Sequence, residues 1–252
     1  MSRVRGILFD FHETLISADR WMAMETGSIA TEILQQLGVW GAQPPAEQRR
    51  VVEGLHATLR AISRDAGVEY PADKIAHLAL EALGMEGGFD EAEIARAVEA
   101  LFRSYLPDVT IKDGVREALR TLKERGYRMG IVSNVAYAPF LAWTLEDHGL
   151  RAYPEVIVTS AEVGLRKPRG EIFAAALAAL GLEPRETVYV GNDYLKDVMG
   201  ARLAGLWAVW VPGPSAKDYR AYTAVRPNAV AGRFSLVPDL IDRMQVAREV
   251  VS

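Results

Sequence analysis

The chain has 252 residues, half of them hydrophobic and a quarter charged, enough to bury one large domain or a core carrying a smaller insert. A formal net charge of −4 argues against a nucleic-acid or anionic-membrane binder, and the absence of cysteine excludes disulfides, thiolate metal sites and a cysteine nucleophile. No apolar run approaches the ~18–20 residues of a membrane span. Met1-Ser-Arg-Val-Arg5 leads straight into a strand, which leaves no room for a signal peptide, so a soluble, cytoplasmic protein is expected.

Along the chain, Ile7-Leu8-Phe9 predict a short apolar strand that ends abruptly in Asp10, with Thr14 four residues later. A carboxylate closing a buried strand is costly unless it is used or paired. At the carboxyl end of a strand in an α/β protein it also stands where ligands bind. Residues 17–108 are helical in pattern. Met22, Ile29, Ile33 and Leu37 suit one helix, and Val52, Leu55, Leu59 and Ile62 a second. Ile75, Leu78 and Ala82 mark a third, closed by Gly84, and Ile94, Val98, Leu101 and Tyr105 a fourth. Trp21, Met22 and Met24 read as core of this helical region.

From residue 109 helices and strands alternate: helix 114–125, strand 127–133, helix 138–148, strand 155–159, helix 170–181, strand 187–191, helix 196–204 and strand 207–211. Such alternation implies right-handed crossovers and a parallel sheet covered on both faces. The expected fold class is therefore α/β, a parallel Rossmann-like sheet core with an inserted all-helical cap domain. Residues 1–16 and 109–252 would form the core. Residues 17–108 would form the cap, above the carboxyl end of the first strand.

That topology brings four polar stations to one edge of the sheet: Asp10, Ser133-Asn134, Arg166-Lys167-Pro168, and Gly191-Asn192-Asp193 followed by Asp197. A carboxylate, a hydroxyl, an ammonium and an acidic pair are equipment for handling a phosphoryl group. A metal ion would reduce repulsion between carboxylate and phosphate. Lys167 would act as a point charge on the phosphate and on Asp10. Ser133 and backbone N–H groups would grip the oxygens. Asp193 also suits a helix N-cap, although Lys196 stands where a capping box wants Glu or Gln.

Taken in order, Asp10-Phe-His-Glu-Thr14, Ser133-Asn134, Lys167-Pro168 and Gly191-Asn-Asp-Tyr-Leu-Lys-Asp197 resemble the four motifs of the haloacid dehalogenase (HAD) superfamily of hydrolases. The helical insert resembles that family's α-helical cap. The resemblance implies that Asp10 is a nucleophile forming an aspartyl-phosphate that water then hydrolyses. It implies that Thr14, Ser133, Asn134 and Lys167 contact the phosphate, with Lys167 also catalytic. It further implies Mg²⁺ on Asp10, the His12 backbone carbonyl, Asp193 and Asp197, and a small soluble phosphate monoester as substrate, with no nucleic-acid or membrane partner.

Two positions depart from the family pattern. His12 stands where most of its phosphatases carry the acid/base aspartate, and three roles are open to it: acid/base catalyst, substrate contact, or a replacement that leaves hydrolysis weak. Asn192 stands where an acid is common, with Asp193 beside it as the substitute ligand. Two other readings share the fold: a 2-haloacid dehalogenase, which uses no metal, and a non-catalytic binding protein.

Overall fold

A computed structural model describes residues 3–41, 43–213 and 216–250. The strands are β1 (Gly6–Phe9), β2 (Ile16–Ser17), β3 (Thr110–Ile111), β4 (Arg128–Ser133), β5 (Val156–Thr159), β6 (Thr187–Gly191), β7 (Trp207–Trp210) and β8 (Ala229–Val230). Five helices lie between β2 and β3: α1 (Asp19–Gly27), α2 (Ile29–Gln36), α3 (Ala46–Ala66), α4 (Ala72–Ala82) and α5 (Glu91–Ser104). The others are α6 (Val115–Glu124), α7 (Pro139–Asp147), α8 (Ser160–Val163), α9 (Gly170–Leu180), α10 (Gly200–Leu203) and α11 (Val237–Val250).

Six strands form one sheet in the order β5-β4-β1-β6-β7-β8, and every pairing in it is parallel. The chain builds outward from β1 through β4 to β5, then returns to the other side of β1 and continues through β6, β7 and β8. The direction of winding thus reverses at β1, and ligands bind in the crevice outside the carboxyl ends of strands at such a reversal. Asp10 is the first residue beyond that end.

Alternation along β1 explains why the strand is central. Ile7 and Phe9 join one buried cluster, Leu8 joins the other, and all three are at most 1% exposed. A strand covered on both faces must be apolar at every position. Gly130 in β4 marks close packing beside it: a Cβ there would sit 2.7 Å from Val156 and 2.8 Å from Leu8. The cluster containing Ile7 and Phe9 runs without a break into Trp21, Ile33, Val52, Leu80 and Phe102 of the five-helix segment. The antiparallel β2–β3 ribbon pairs Ile16 with Ile111 and Ser17 with Thr110, at the points where that segment leaves and rejoins the sheet.

Several expected elements differ in detail. The first expected helix is two, α1 and α2, broken at Ser28 (φ −134°, ψ 3°) after Gly27. Both residues favour helix ends over helix interiors. The expected helix 196–204 starts as a π-helical turn, Tyr194–Met199, before α10. The ribbon, α8, β8 and α11 carry too short or too weak a periodicity to stand out in sequence.

Candidate active site

Lys167 occupies the centre of the cluster, 4% exposed. Its Nζ donates to Asp10 Oδ1 at 2.6 Å, to Tyr189 Oη at 2.7 Å and to Asp197 Oδ1 at 2.8 Å. An ammonium has three N–H donors, so all are engaged. The neighbouring carboxylates of Asp10 and Asp197 overcome the burial penalty and raise the Lys167 pKa. Burial pushes the Asp197 carboxyl up to about 6, against the pull of Lys167. The lysine is a fixed cation that orients the Asp10 carboxylate, and a direct bond from it to phosphate requires that one of these three be exchanged.

The other Asp10 oxygen, Oδ2, accepts from the Thr14 hydroxyl at 3.0 Å. Thr14 is reached through a tight turn in which Glu13 adopts φ +60°, uncommon for a residue with a side chain. Two contacts hold that residue: Ser17 Oγ donates to Glu13 Oε1 at 2.6 Å and Lys112 Nζ to Glu13 Oε2 at 2.7 Å. The Asn192 amide oxygen lies 3.3 Å from the Thr14 hydroxyl. Asn192 is thus the residue of the last motif that reaches Thr14, while Asp197 shares Lys167 with Asp10.

Three of the expected side chains are engaged by protein groups. Asp193 does not direct its carboxylate at Asp10. Its Oδ1 caps the following turn, accepting from the N–H groups of Leu195 and Lys196, while Oδ2 accepts from Lys196 Nζ at 2.8 Å. Lys196 removes the capping box but supplies an ion pair in its place. Asp197 is enclosed, 1% exposed, with Oδ1 on Lys167 and Oδ2 accepting from Asp193 N–H at 2.8 Å. Its approach needs Gly191, where a Cβ would lie 2.5 Å from the carboxyl group. Asn134 uses its side chain on backbone: Oδ1 accepts from Lys167 N–H at 2.8 Å and Nδ2 donates to Lys167 C=O at 3.0 Å. It fixes the backbone from which the lysine reaches inward. Ser133 ends β4, 2% exposed, immediately before it.

His12 lies on the side facing α1. Its ring meets the Trp21 ring edge-on at 5.5 Å, and its buried Nε2 has no hydrogen-bond partner. Burial lowers its pKa below the usual 6.5, outweighing the pull of Asp10, Glu13 and Asp19. The side chains of His12, Glu13 and Asp19 bring one ligand atom each within 4.8 Å of one another, but both Glu13 oxygens are already taken. Asp10 Oδ2 and the Asn192 amide oxygen both lie on the Thr14 hydroxyl, at 3.0 and 3.3 Å, and neither is held by a cation as Glu13 is by Lys112. Hard oxygens of this kind, one anionic and one neutral, suit a small divalent cation that retains several waters.

Sequence reasoning missed Tyr189. This fully buried residue of β6 accepts from Lys167 and donates to Val132 C=O at 3.0 Å, and burial with nearby Asp197 drives its pKa well above 10. In sequence it is one more apolar-looking strand residue. Only the polar tip of a side chain two positions before Gly191 hinted at a partner.

A family model described as haloacid dehalogenase-like hydrolase matches residues 4–205. The chain is 29% identical over 206 residues to a ribulose-1,5-bisphosphate 5-phosphatase of Halopiger xanaduensis, a match covering 81% of this chain and 83% of that one. It is 32% identical over 141 residues to haloacid dehalogenase-like hydrolase domain-containing protein 3 of Homo sapiens, where the match spans about half of each chain, 55%. Among solved structures, a 2-haloacid dehalogenase from Pseudomonas syringae pv. Tomato DC3000 aligns with a TM-score of 0.64 at 20% identity, over 96% of this chain and 99% of that chain. This last is a likeness of fold.

Proposed function

Since the chain belongs to the haloacid dehalogenase-like hydrolase family, we propose that it is a phosphatase acting on a small phosphate monoester, with Asp10 as nucleophile. The observation that carries this reading is the double hold on the Asp10 carboxylate, by Lys167 on one oxygen and Thr14 on the other, at the winding reversal of the sheet. A carboxylate held and aimed through both of its oxygens is a positioned nucleophile.

In the first half-reaction an Asp10 oxygen forms a bond to phosphorus and the ester P–O bond breaks, leaving an aspartyl-phosphate. The departing oxygen takes a proton from His12 in its imidazolium form, leaving it neutral. In the second, water attacks the phosphorus, gives a proton to His12, and frees Asp10 and inorganic phosphate. Lys167 stays charged throughout, and Ser133 at the end of β4 receives a transferring oxygen. Magnesium, held by Asp10, the Asn192 amide oxygen and the His12 backbone carbonyl, would supply positive charge that offsets repulsion between carboxylate and phosphate. The helical segment 17–108 would serve as the cap that keeps bulky substrates out.

A screen of phosphate esters with and without Mg²⁺ tests the assignment. Asp10→Asn should reduce turnover to background. His12→Ala should lower kcat by about 10²–10⁴-fold and His12→Asp should restore it; equal rates for wild type and His12→Ala would remove His12 from proton transfer. A second reading, a metal-independent 2-haloacid dehalogenase, gains support from the engagement of Asp193 and Asp197 elsewhere. Chloride release that persists in EDTA would establish that reading in place of the first.

A further inference from the structure

From the five-helix segment, the loop between α3 and α4 reaches the two loops that carry the catalytic side chains. Val68 pairs with Leu165 in an antiparallel bridge. Arg166 N–H donates to Gly67 C=O at 2.8 Å, and Glu69 N–H to Gly164 C=O at 2.9 Å. At the other loop, Ala72 N–H donates to Ala136 C=O at 2.8 Å, and the N–H of the same alanine donates to Glu25 Oε1 of α1 at 2.8 Å. Both partners in the sheet domain follow directly on, or lead directly into, Ser133-Asn134 and Lys167.

Glu69 lies at the centre of these contacts and is 6% exposed. Its Oε2 accepts from Arg166 Nη1 and from the Ser160 hydroxyl. Ser160 Oγ in turn accepts from Val135 N–H at 2.9 Å. Asn134 precedes Val135 and grips both backbone groups of Lys167, which follows Arg166. The bonds therefore close a ring: Glu69, Arg166, Lys167, Asn134, Val135, Ser160 and back to Glu69. Every member except Glu69 belongs to a strand-end loop or to the start of α8, and among the described residues the ring closes through this one carboxylate from the helical segment.

We propose that Glu69 is a positioning residue for hydrolysis, setting the backbone of Lys167 and of Ser133-Asn134 through Arg166 and Ser160. It touches neither Asp10 nor the reacting phosphoryl group. Its effect is to make the placement of the catalytic loops depend on the seating of the helical segment, so that the machinery is assembled only when the site is covered. Displacements of about 1 Å in such groups cost on the order of 10²-fold in rate. This inference rests on the phosphatase reading for its kinetic readout, but not for its structural one.

The test is steady-state kinetics on para-nitrophenyl phosphate and a panel of small phosphate esters, together with amide hydrogen exchange. Glu69→Ala should lower kcat by about 10- to 100-fold with KM changed by less than about threefold, since ground-state binding is not its role. Glu69→Gln, which keeps acceptors for Ser160 and Arg166, should recover kcat to within about threefold of wild type. Glu69→Ala and Arg166→Ala combined should cost little more than either alone, because both open the same ring. Exchange at the amides of Val135 and Arg166 should accelerate in Glu69→Ala while β1 and β6 stay protected. An unchanged kcat, a loss confined to KM, or equal losses in the Ala and Gln variants would overturn the proposal. If Glu69→Ala does not fold, Ser160→Ala breaks the ring from the sheet side and should show the same kcat loss; full activity there would also overturn it. If the wild type hydrolyses no phosphate ester, the phosphatase reading fails, and the exchange measurement still decides whether Glu69 orders the two loops.

Discussion

The two sides of Asp10 are built differently. On the sheet side, Lys167 has each N–H matched, to Asp10, Asp197 and Tyr189, and the hydroxyl of Tyr189 passes the chain on to Val132. On the side of α1, three buried polar atoms have no partner among the described residues: His12 Nε2, Trp21 Nε1 and Glu25 Oε2. A satisfied buried network is rigid, whereas an unmatched buried polar atom costs about 1–3 kcal/mol and calls for an explanation in a bound molecule or a function. The difference separates the labour of the site. The sheet side holds charge in place, and the α1 side carries buried polar atoms that the described residues leave unmatched.

The largest effect should come from breaking the matched side. Lys167→Met leaves the Asp10 and Asp197 carboxylates buried without their shared cation, and losing one partner of such a group costs about 3–5 kcal/mol. Chemical denaturation should register that loss, and turnover should vanish with it. A variant as stable as wild type would show that the cluster is not the electrostatic anchor described.

On the α1 side, Glu25 tests the unmatched state through pH. Burial, with Glu69 adding to it, raises the Glu25 carboxyl to about 8, against the opposing pull of the Ala136 N–H, Arg166 and Arg60. A carboxyl with a raised folded-state pKa binds its proton more tightly in the native state than in the unfolded chain. Stability is therefore greatest below the unfolded value of 4.5 and falls as pH rises toward 8. Glu25→Gln mimics the protonated form and has nothing to titrate. It should remove that part of the pH slope and stabilise the protein by a few kcal/mol above pH 8. Denaturation midpoints at pH 5.5 and pH 8.5 decide; parallel pH dependence in both proteins would refute the buried-neutral carboxyl.

How much of this was legible in sequence depends on whether the signal was local. Asp10, Thr14 and Lys167 were, because a strand boundary or a Lys-Pro step announces each. The sheet was, because helix and strand alternate with clear periods from residue 109 onward. The partition of the acidic residues was not. Asp193, Asp197 and Asn192 sit within six positions, and which of them faces Asp10 is set by a π-helical turn that directs Asp197 inward and leaves Asp193 as its cap. Such a turn shifts every side chain after it relative to an α-helix, and no residue type in Tyr194–Met199 signals it. Glu69 was invisible for a different reason: its partners Ser160 and Arg166 are 91 and 97 residues away.

The last two variants sharpen the contrast, because each removes one polar atom from one side while keeping an aromatic ring. Tyr189→Phe removes a hydroxyl that bonds Lys167 and Val132. It leaves a buried carbonyl and one ammonium proton unmatched, at a cost of about 1–3 kcal/mol. Trp21→Phe removes an indole N–H that bonds no protein group while keeping an aromatic ring against Phe140, 4.6 Å away by ring centroids. No hydrogen bond is lost, and the cost is that of a smaller ring in a fully buried site, transfer plus cavity. The kinetic outcomes should separate the two. Tyr189 lies behind Lys167, away from any substrate, and its loss should act on kcat; Trp21 faces His12 and should act on KM for substrates whose leaving group carries a hydrogen-bond acceptor. A KM insensitive to Trp21→Phe across the panel, or a kcat insensitive to Tyr189→Phe, would erase the distinction between a matched side and an open one.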